Sequence, residues 1–279
     1  MFLPLYYGIM LAMEIKMIAS DLDGTLLGDD HLPSERTIEA LKRAYDAGIA
    51  IVPVTGRSFS HLPKWIREAE YIDYVITVNG ARGINNKTGE TIFTETMETE
   101  QMLRAMRMVL PFKTCWNLHA NKFVWREEHG TSDIRPMLTQ ELLLPDMMTY
   151  LENNEMEIEK IDIYFADMEE RAEAFRLAKD WDDVAVCAGS DFNFEVNSLR
   201  GNKGQGLKLL AEKLGISLEN VAAFGDALND LPLIKAAGVS VAMGNAVTEL
   251  KEEAKFITER NNEDSVANFI FEKILSNNI

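Results

Sequence analysis

Cysteine is nearly absent from this chain. Cys115 and Cys187 are the only two in 279 residues, and no Cys-x-x-Cys pair occurs. That excludes a disulfide framework and a thiolate zinc site, and it points to a reducing, cytoplasmic location. Histidine is scarce as well: His31, His61, His119 and His129 are scattered, so spacing supports no histidine-based triad. Basic residues are outnumbered, 28 Lys and Arg against 45 Asp and Glu, for a net charge of −17. Phosphate backbones and anionic membranes are bound by clustered Lys and Arg, so nucleic acid and membrane surfaces are excluded as partners. Long hydrophobic runs are missing. Residues 1–12 are apolar but lack a basic flank, and Glu14 and Lys16 interrupt them short of a span. They read as an N-terminal extension, with Met13 or Met17 as alternative starts. Neither Gly-x-x-x-x-Gly-Lys-Ser/Thr nor Gly-x-Ser-x-Gly occurs, which removes a nucleotide P-loop and a serine-nucleophile elbow.

What is present describes a globular protein, with 47% hydrophobic and 26% charged residues. Ile15 to Ser20 reads as a buried strand running into Asp21-Leu22-Asp23-Gly24-Thr25. A helical pattern opening at Pro33-Ser34 puts Ile38, Leu41, Ala44 and Tyr45 on one face and closes at Gly48. Ile49 to Val54 is a second apolar strand, followed by Thr55-Gly56-Arg57 and a helix through Trp65 and Ile66. Tyr74 to Val78 is a third strand, ending at Asn79-Gly80. Strand and helix alternate, and the strands are almost continuously apolar, which predicts a parallel sheet covered on both faces.

The rhythm then changes. Arg82 to Ile84 and Thr91 to Phe93 flank a polar turn, as in a hairpin. Met102, Leu103, Met106 and Leu110 form a helix face, and methionine at that spacing is core filler. Strands are expected at Thr114 to Leu118, Lys122 to Arg126, Ile158 to Ala166, Val184 to Ala188 and Asn193 to Val196. Helices are expected near Asp146 to Leu151 and from Glu169 to Lys179, with a polar loop after Arg126. Consecutive strands with short turns suggest an antiparallel sheet with helices on one face, so residues 84–196 form an α+β module inserted between a core of 13–83 and 197–279. Trp116, Trp125, His119 and Arg126 read as core or surface side chains of that module. In the last third, Leu207, Leu210 and Leu214 mark a helix closed by Gly215. Strands follow at Asn220 to Phe224, Val239 to Met243 and Lys255 to Thr258, and a helix at Val266 to Ile274.

Four polar clusters fall where strands of the parallel core end or a neighbouring helix begins: Asp21/Asp23, Thr55-Gly56, Lys203-Gly204, and Gly225-Asp226 with Asn229-Asp230. Ligands of open α/β sheets bind at the carboxyl ends of the strands, so these clusters can converge. Several carboxylates suit a hard, oxygen-seeking cation, and Mg²⁺ that also touches a substrate phosphate is the natural choice. Lys203, the Thr55 hydroxyl and backbone N–H groups near Asp23, Gly24 and Gly56 could hold phosphoryl oxygens. One carboxylate could attack phosphorus while a second, two residues away, moves protons. Lysine at a helix start is electrostatically misplaced, which favours a ligand role for Lys203. Thr55 alone could be a turn hydroxyl, and Asp226 with Asp230 alone could be an N-cap and a first-turn acid; the company of Asp21 is what makes them metal candidates. Asn245 and Asp264 read as loop and cap residues. An EF-hand starting at Asp21 fails, because its fifth and twelfth positions hold Thr25 and Leu32.

Asp21-Leu-Asp23-Gly24-Thr25-Leu, Thr55-Gly56-Arg57, Asn79-Gly80-Ala81, Asn202-Lys203-Gly204, Gly225-Asp226-x-x-Asn229-Asp230, Ala242-Met243-Gly244-Asn245-Ala246 and Asn262-Glu263-Asp264-Ser265-Val266-Ala267 occur in an order that resembles haloacid dehalogenase-like phosphatases of the Cof type. The resemblance runs from about Ile15 to the C-terminus. It implies an α/β fold, a Rossmann-like parallel-sheet core with an inserted cap. It implies Asp21 as nucleophile and Asp23 as general acid/base, whose backbone carbonyl also meets Mg²⁺. Thr55, Gly56 and Lys203 would bind phosphate, Asn79 would lie on the substrate side, and Asp226 would ligate the metal. Asp230 and Asn229 would support the metal, its waters or the phosphate. The departures are small: no proline precedes the lysine motif, Ala227-Leu228 replace the usual residues of the fourth motif, and Ser265 stands where glycine is common. The implied activity is Mg²⁺-dependent hydrolysis of a small phosphorylated metabolite, a sugar phosphate foremost, through an aspartyl phosphate. A phosphosugar mutase or phosphotransferase and a non-catalytic phospho-metabolite binding protein are the alternatives. The sequence leaves open whether the chain is a monomer or a dimer.

Overall fold

The computed structural model describes residues 14–127 and 141–277; the N-terminal extension and most of the polar loop after Arg126 lie outside them. In chain order the strands are β1 Met17–Ser20, β2 Ala50–Pro53, β3 Tyr74–Thr77, β4 Arg82–Asn85, β5 Thr91–Thr94, β6 Thr114–Ala120, β7 Phe123–Glu127, β8 Glu141–Leu144, β9 Ile158–Phe165, β10 Ala185–Ser190, β11 Asn193–Asn197, β12 Val221–Gly225, β13 Val239–Ala242 and β14 Phe256–Ile257. The chain divides into two compact units. The first takes the described residues of Met1–Gly56, Pro63–Phe93 and Asn202–Ile279, and the second those of Arg57–Leu62 and Thr94–Gly201.

The first unit is built on a parallel sheet in the order β14-β13-β12-β1-β2. Successive side chains of a strand point to opposite faces, so each strand feeds two cores. Met17, Ala19, Val52, Val54, Val221 and Ala223 pack with Leu207 and Leu210 of the helix Lys203–Leu214. On the other face Phe224 meets the ring of Phe269 edge-on, 5.4 Å between centroids. Each fully buried side chain of this size contributes about 1.5–3 kcal/mol. Helix Glu35–Asp46 starts where Ser34 accepts a hydrogen bond from the Thr37 N–H, and it buries Thr37, Ala40, Leu41 and Ala44. Ile38 and Tyr45 lie at the margin of that face.

The third strand departs from expectation. β3 touches β2 through one parallel bridge, Val54 to Ile76, and then pairs antiparallel with β4 in a separate sheet, β3-β4-β5. Proline explains the short contact. Val54 donates toward β1, to Ser20, so alternation turns Pro53 and Thr55 toward β3. Thr55 N–H donates to Ile76 O at 2.9 Å, but Pro53 has no hydrogen to give.

The second unit is a sheet in the order β10-β11-β9-β6-β7-β8. Its pairs are antiparallel except β7 with β8. The β6–β7 hairpin turns on Asn121 and Lys122, both at positive φ (54° and 74°), as a two-residue turn with right-handed twist requires. Trp116, Leu118, Ile161, Ile163, Phe165, Phe194 and Val196 form a core with Met102 and Met106 of helix Thr99–Val109 and with Met147 and Leu151 of helix Met147–Asn153. The methionines are core filler, whereas Leu110, expected on the same face, is 57% exposed just past the helix end. β8 and the short helices Leu231–Ala236 and Thr248–Glu253 were not legible as periodic segments. Four to six residues hold too little of either repeat. Among the described residues no helix is long and apolar enough to cross a membrane.

Candidate active site

Parallel pairing of β1 with β12 puts Ser20 beside Phe224, so the residues that follow each strand emerge side by side. Asp21 N–H extends the ladder by one bond, to Phe224 O at 3.1 Å. Asp21 and Asp226, 205 positions apart in sequence, therefore share one sheet end. Asp226 accepts from the Thr25 hydroxyl at 2.8 Å. The turn between them must be glycine: Gly24 has φ +79°, and a Cβ there would sit 2.4 Å from Asp226 Oδ2.

Lys203 opens its helix just after Asn202, whose side chain accepts from the Gln205 N–H. Its ammonium is buried, 2.6 Å from Asp21 Oδ1 and 2.5 Å from Asp230 Oδ1. The second oxygen of Asp230 accepts from the N–H groups of Asp226 and Ala227, both at 3.0 Å. Asp230 thus closes the Asp226–Asp230 turn and orients Lys203, with both oxygens engaged. Asp230 stands as the first-turn acid the sequence allowed, and it adds a bond to the lysine.

The charges do not balance. Burial pushes the Asp21 carboxyl up to about 7 against the pull of Lys203, with Asp230 adding repulsion. Burial also raises Asp226, outweighing the Thr25 hydrogen bond. Lys203 is held above the usual lysine range because its two carboxylates outweigh its own desolvation. One carboxylate oxygen from each of Asp21, Asp226 and Asp230 lies within 4.8 Å of the others. Hard oxygen donors carrying more negative charge than one lysine neutralises fit a divalent cation.

The other expected residues lie around this cluster in the same unit. Asp23 is exposed, with one oxygen 3.5 Å from His31 Nδ1. Thr55 is buried beyond the end of β2, with its backbone fixed on both sides: its N–H donates to Ile76 and its carbonyl accepts from Asn79. Gly56 lies against Asn79, whose Oδ1 would be 2.9 Å from a Cβ at that position. Asn79 Oδ1 also accepts from Asn229 Nδ2 at 3.2 Å. Val78, Asn79 and Gly80 have consecutive positive φ values of 50°, 53° and 99°. For a β-branched valine that conformation is strained, and such strain concentrates at functional sites. Gly80 is required here, since a Cβ would meet Asn202 O at 2.1 Å.

Sequence reasoning passed over two contributors. Thr25 stood in the first motif but was given no role. Asn245, read as a loop residue, donates to Gly24 O at 2.8 Å and reaches Asp226 Oδ2 at 3.5 Å, while its own oxygen accepts from the Asn261 N–H. Asn245 thereby ties three loops to the acidic cluster. Its signal was its place in the Ala242–Ala246 motif after an apolar strand, which does not by itself say what the side chain meets.

Comparison with known proteins agrees with this geometry. The family model of haloacid dehalogenase-like hydrolases matches residues 18–270. The 5-amino-6-(5-phospho-D-ribitylamino)uracil phosphatase YcsE of Bacillus subtilis is 33% identical over 259 residues, covering 92% of this chain and 95% of that protein. A putative phosphatase of the same organism, YxeH, is 30% identical, with 94% and 99% covered. A solved haloacid dehalogenase-like hydrolase from B. subtilis superposes with a TM-score of 0.80 at 27% identity, covering 92% and 99%. The chain belongs to the haloacid dehalogenase-like hydrolases, of the Cof type, with a Rossmann-like α/β core. Within that family it is a phosphoric monoester hydrolase.

Proposed function

We propose that the protein is a Mg²⁺-dependent phosphatase of small phosphorylated metabolites that works through an aspartyl phosphate on Asp21. The observation that carries this reading is the buried Asp21 carboxylate held 2.6 Å from the Lys203 ammonium. Asp21 attacks phosphorus, and the bond from phosphorus to the ester oxygen breaks. Asp23, exposed two residues away, gives its proton to the departing oxygen. The Asp23 carboxylate then takes a proton from water, whose oxygen attacks phosphorus. The Asp21–phosphorus bond breaks and inorganic phosphate leaves. Lys203, the Thr55 hydroxyl and the Gly56 N–H hold the phosphoryl oxygens, and Asn79 with Asn229 borders the substrate. The Asp21 and Asp226 carboxylates and the Asp23 carbonyl would hold Mg²⁺, with Asp230 behind them. Bound there, the ion offsets phosphate charge and keeps Asp21 ionised.

The substrate class is a phosphorylated sugar or polyol. The name of YcsE specifies a phosphoribityl compound, and such esters belong in the test set. Cys115 and Cys187 are both free thiols, which fits a cytoplasmic enzyme. The test is a phosphate-release screen over sugar, polyol, nucleotide and cofactor phosphates with Mg²⁺, ranked by kcat/KM. Phosphate release that survives EDTA, or that is unchanged in Asp21→Asn, overturns the proposal.

A further inference from the structure

The last motif noted in the sequence, Asn262 to Ala267, has no part in the proposed chemistry. Side chains at 261, 262 and 264 nevertheless reach back 230 to 234 positions, to the loop that follows Asp21. Asn261 Nδ2 donates to Leu27 O at 3.0 Å, and its N–H donates to Asn245 Oδ1 at 3.0 Å. Asn262 grips Asp29 twice: it accepts from the Asp29 N–H at 3.0 Å and donates to the Asp29 carboxylate at 2.6 Å. Asp264 stands at the cap position of helix Ser265–Phe269, but its side chain caps no N–H and accepts from the Ser34 hydroxyl instead. All of these residues lie in the first unit.

The side chains stand on a fixed base. Residue 261 follows closely on β14, which pairs with β13, and Gly244 N–H donates to Glu259 O at 2.8 Å. Arg260 and Glu263 close the turn between them, Arg260 N–H on the Glu263 carboxylate and Glu263 N–H on Arg260 O, both at 2.9 Å. Farther on, Arg36 Nε donates to Asn268 Oδ1 at 3.0 Å and ties helix Glu35–Asp46 to helix Ser265–Phe269. The loop between β1 and helix Glu35–Asp46 forms no helix or strand of its own. Its shape is therefore set by what it touches.

Asp23 is carried by that loop. Leu27 N–H donates to Leu22 O at 2.9 Å, and the backbone of Leu27 bridges to that of Asp23. That bond is internal to the turn and moves with it, whereas Asn245 on Gly24 O and Asn261 on Leu27 O tie the turn to the rest of the unit. Beyond Leu27 the chain doubles back, with Gly28 N–H on Leu32 O and His31 N–H on Gly28 O, and sets His31 3.5 Å from the Asp23 carboxylate. Asn262 holds this second turn through Asp29. The Asp23 side chain is 45% exposed, so packing does not confine its carboxyl, and its place depends on the backbone beneath it. We propose that Asn261 and Asn262 are positioning residues: by holding Leu27 and Asp29 they keep the turn around Asp23, and with it the Asp23 carboxyl, where it meets the departing ester oxygen. This rests on the phosphatase reading above.

The leaving group separates positioning from mere support. A sugar or polyol phosphate releases an oxygen that needs a proton, whereas dinitrophenyl phosphate releases one that is stable as an anion. With both esters kcat/KM reports the steps up to that departure. The full-length chain is compared with Mg²⁺ as wild type, Asp23→Asn, Asn261→Ala, Asn262→Ala and Asn268→Ala, on dinitrophenyl phosphate and on the best sugar or polyol phosphate of the screen. Tm is followed by thermal denaturation, and amide hydrogen exchange of residues 22–34 by mass spectrometry. Asn261→Ala and Asn262→Ala are expected to lower kcat/KM about tenfold for the sugar or polyol ester and less than about twofold for the aryl ester. Asn268→Ala breaks a bond between the same two segments outside the loop, so both esters are expected to stay within about twofold of wild type while Tm falls as in the other two. Exchange in 22–34 is expected to quicken in Asn261→Ala and Asn262→Ala alone. Losses of equal size on the two esters, or no loss, in the Asn261 and Asn262 variants overturn the proposal, and so does unchanged exchange, whatever the kinetics. Equal losses in Asp23→Asn, or a wild type that hydrolyses neither ester, overturn the phosphatase mechanism itself, and exchange then still decides whether the two asparagines hold the loop.

Discussion

Asp21 and Lys203 form a pair in which each side chain depends on the other. On the proposed mechanism Asp21→Asn keeps the shape and removes the attacking oxygen, so kcat is expected to fall by about 10³-fold or more, measured by phosphate release. Lys203→Met is a different loss. It leaves Asp21 and Asp230 facing each other, buried and without their cation, with Lys203 itself 1% exposed. Breaking a buried pair in this way costs about 3–5 kcal/mol, so a marked drop in Tm is expected together with loss of activity. Asn245→Ala removes one strap from Gly24 O and Asp226. A smaller effect is expected, about 1 kcal/mol in denaturant stability, with weaker metal affinity.

At the scale of single elements, the Gly24 turn and the buried polar chain of His119 on β6 with Asp162 and Lys160 on β9 carry the sharpest expectations. Gly24→Ala places a methyl at positive φ and against the Asp226 carboxylate. Asp226 must move, so metal affinity measured by calorimetry is expected to fall more than tenfold. The polar chain makes stability depend on pH with a definite sign. His119 and Asp162 both have folded pKa values below their unfolded ones. Each therefore contributes stability that is complete above its unfolded value and is lost as pH falls. His119 faces Ser58, Asp162, Lys160 and Glu195. Its part disappears as pH drops below about 6.5, and that of Asp162 below about 4. Asp21 acts in the opposite sense: its folded value is raised to about 7, so its contribution is present at low pH and lost as pH rises through 7. In Asp21→Asn that opposing part is absent, though Asp226, also raised, still acts in its sense. Adding His119→Gln to Asp21→Asn is expected to make the fall of Tm between pH 7 and pH 5 shallower, and an unchanged slope would contradict the lowered titration of His119.

For the whole molecule, a cation bound only by the folded chain stabilises it by mass action. Mg²⁺ at about a hundred times its dissociation constant is expected to add about 2.7 kcal/mol, and EDTA to remove it. Asp226→Asn should abolish most of that increment. Part of the fold is legible in the sequence. The alternation of apolar strands and amphipathic helices around Asp21, and the change of rhythm after Asn79, follow from side-chain period alone. The behaviour of β3 could not be read, because periodicity does not tell which strand lies on the Pro53 side of β2 or that β3 takes β4 as its antiparallel partner. The exposure of Leu110 likewise turns on where helix Thr99–Val109 stops.

The candidate site divides in the same way. Carboxylates and a lysine after apolar strands marked Asp21, Asp23, Lys203, Asp226 and Asp230 as candidates, since such burial must be compensated, and the family resemblance added Asn79 and favoured Thr55. Tertiary structure alone brought Lys203 between Asp21 and Asp230. It also set Thr25 and Asn245 on Asp226 and placed His119, read as a core or surface side chain, 2.7 Å from Ser58. Periodicity reports what a segment buries, not what it meets. Asp21 and Asp226 are brought together by the parallel register of β1 with β12, and His119 beside Lys160 by the antiparallel register of β6 with β9, and registers of that kind are fixed only when the whole sheet closes on its core.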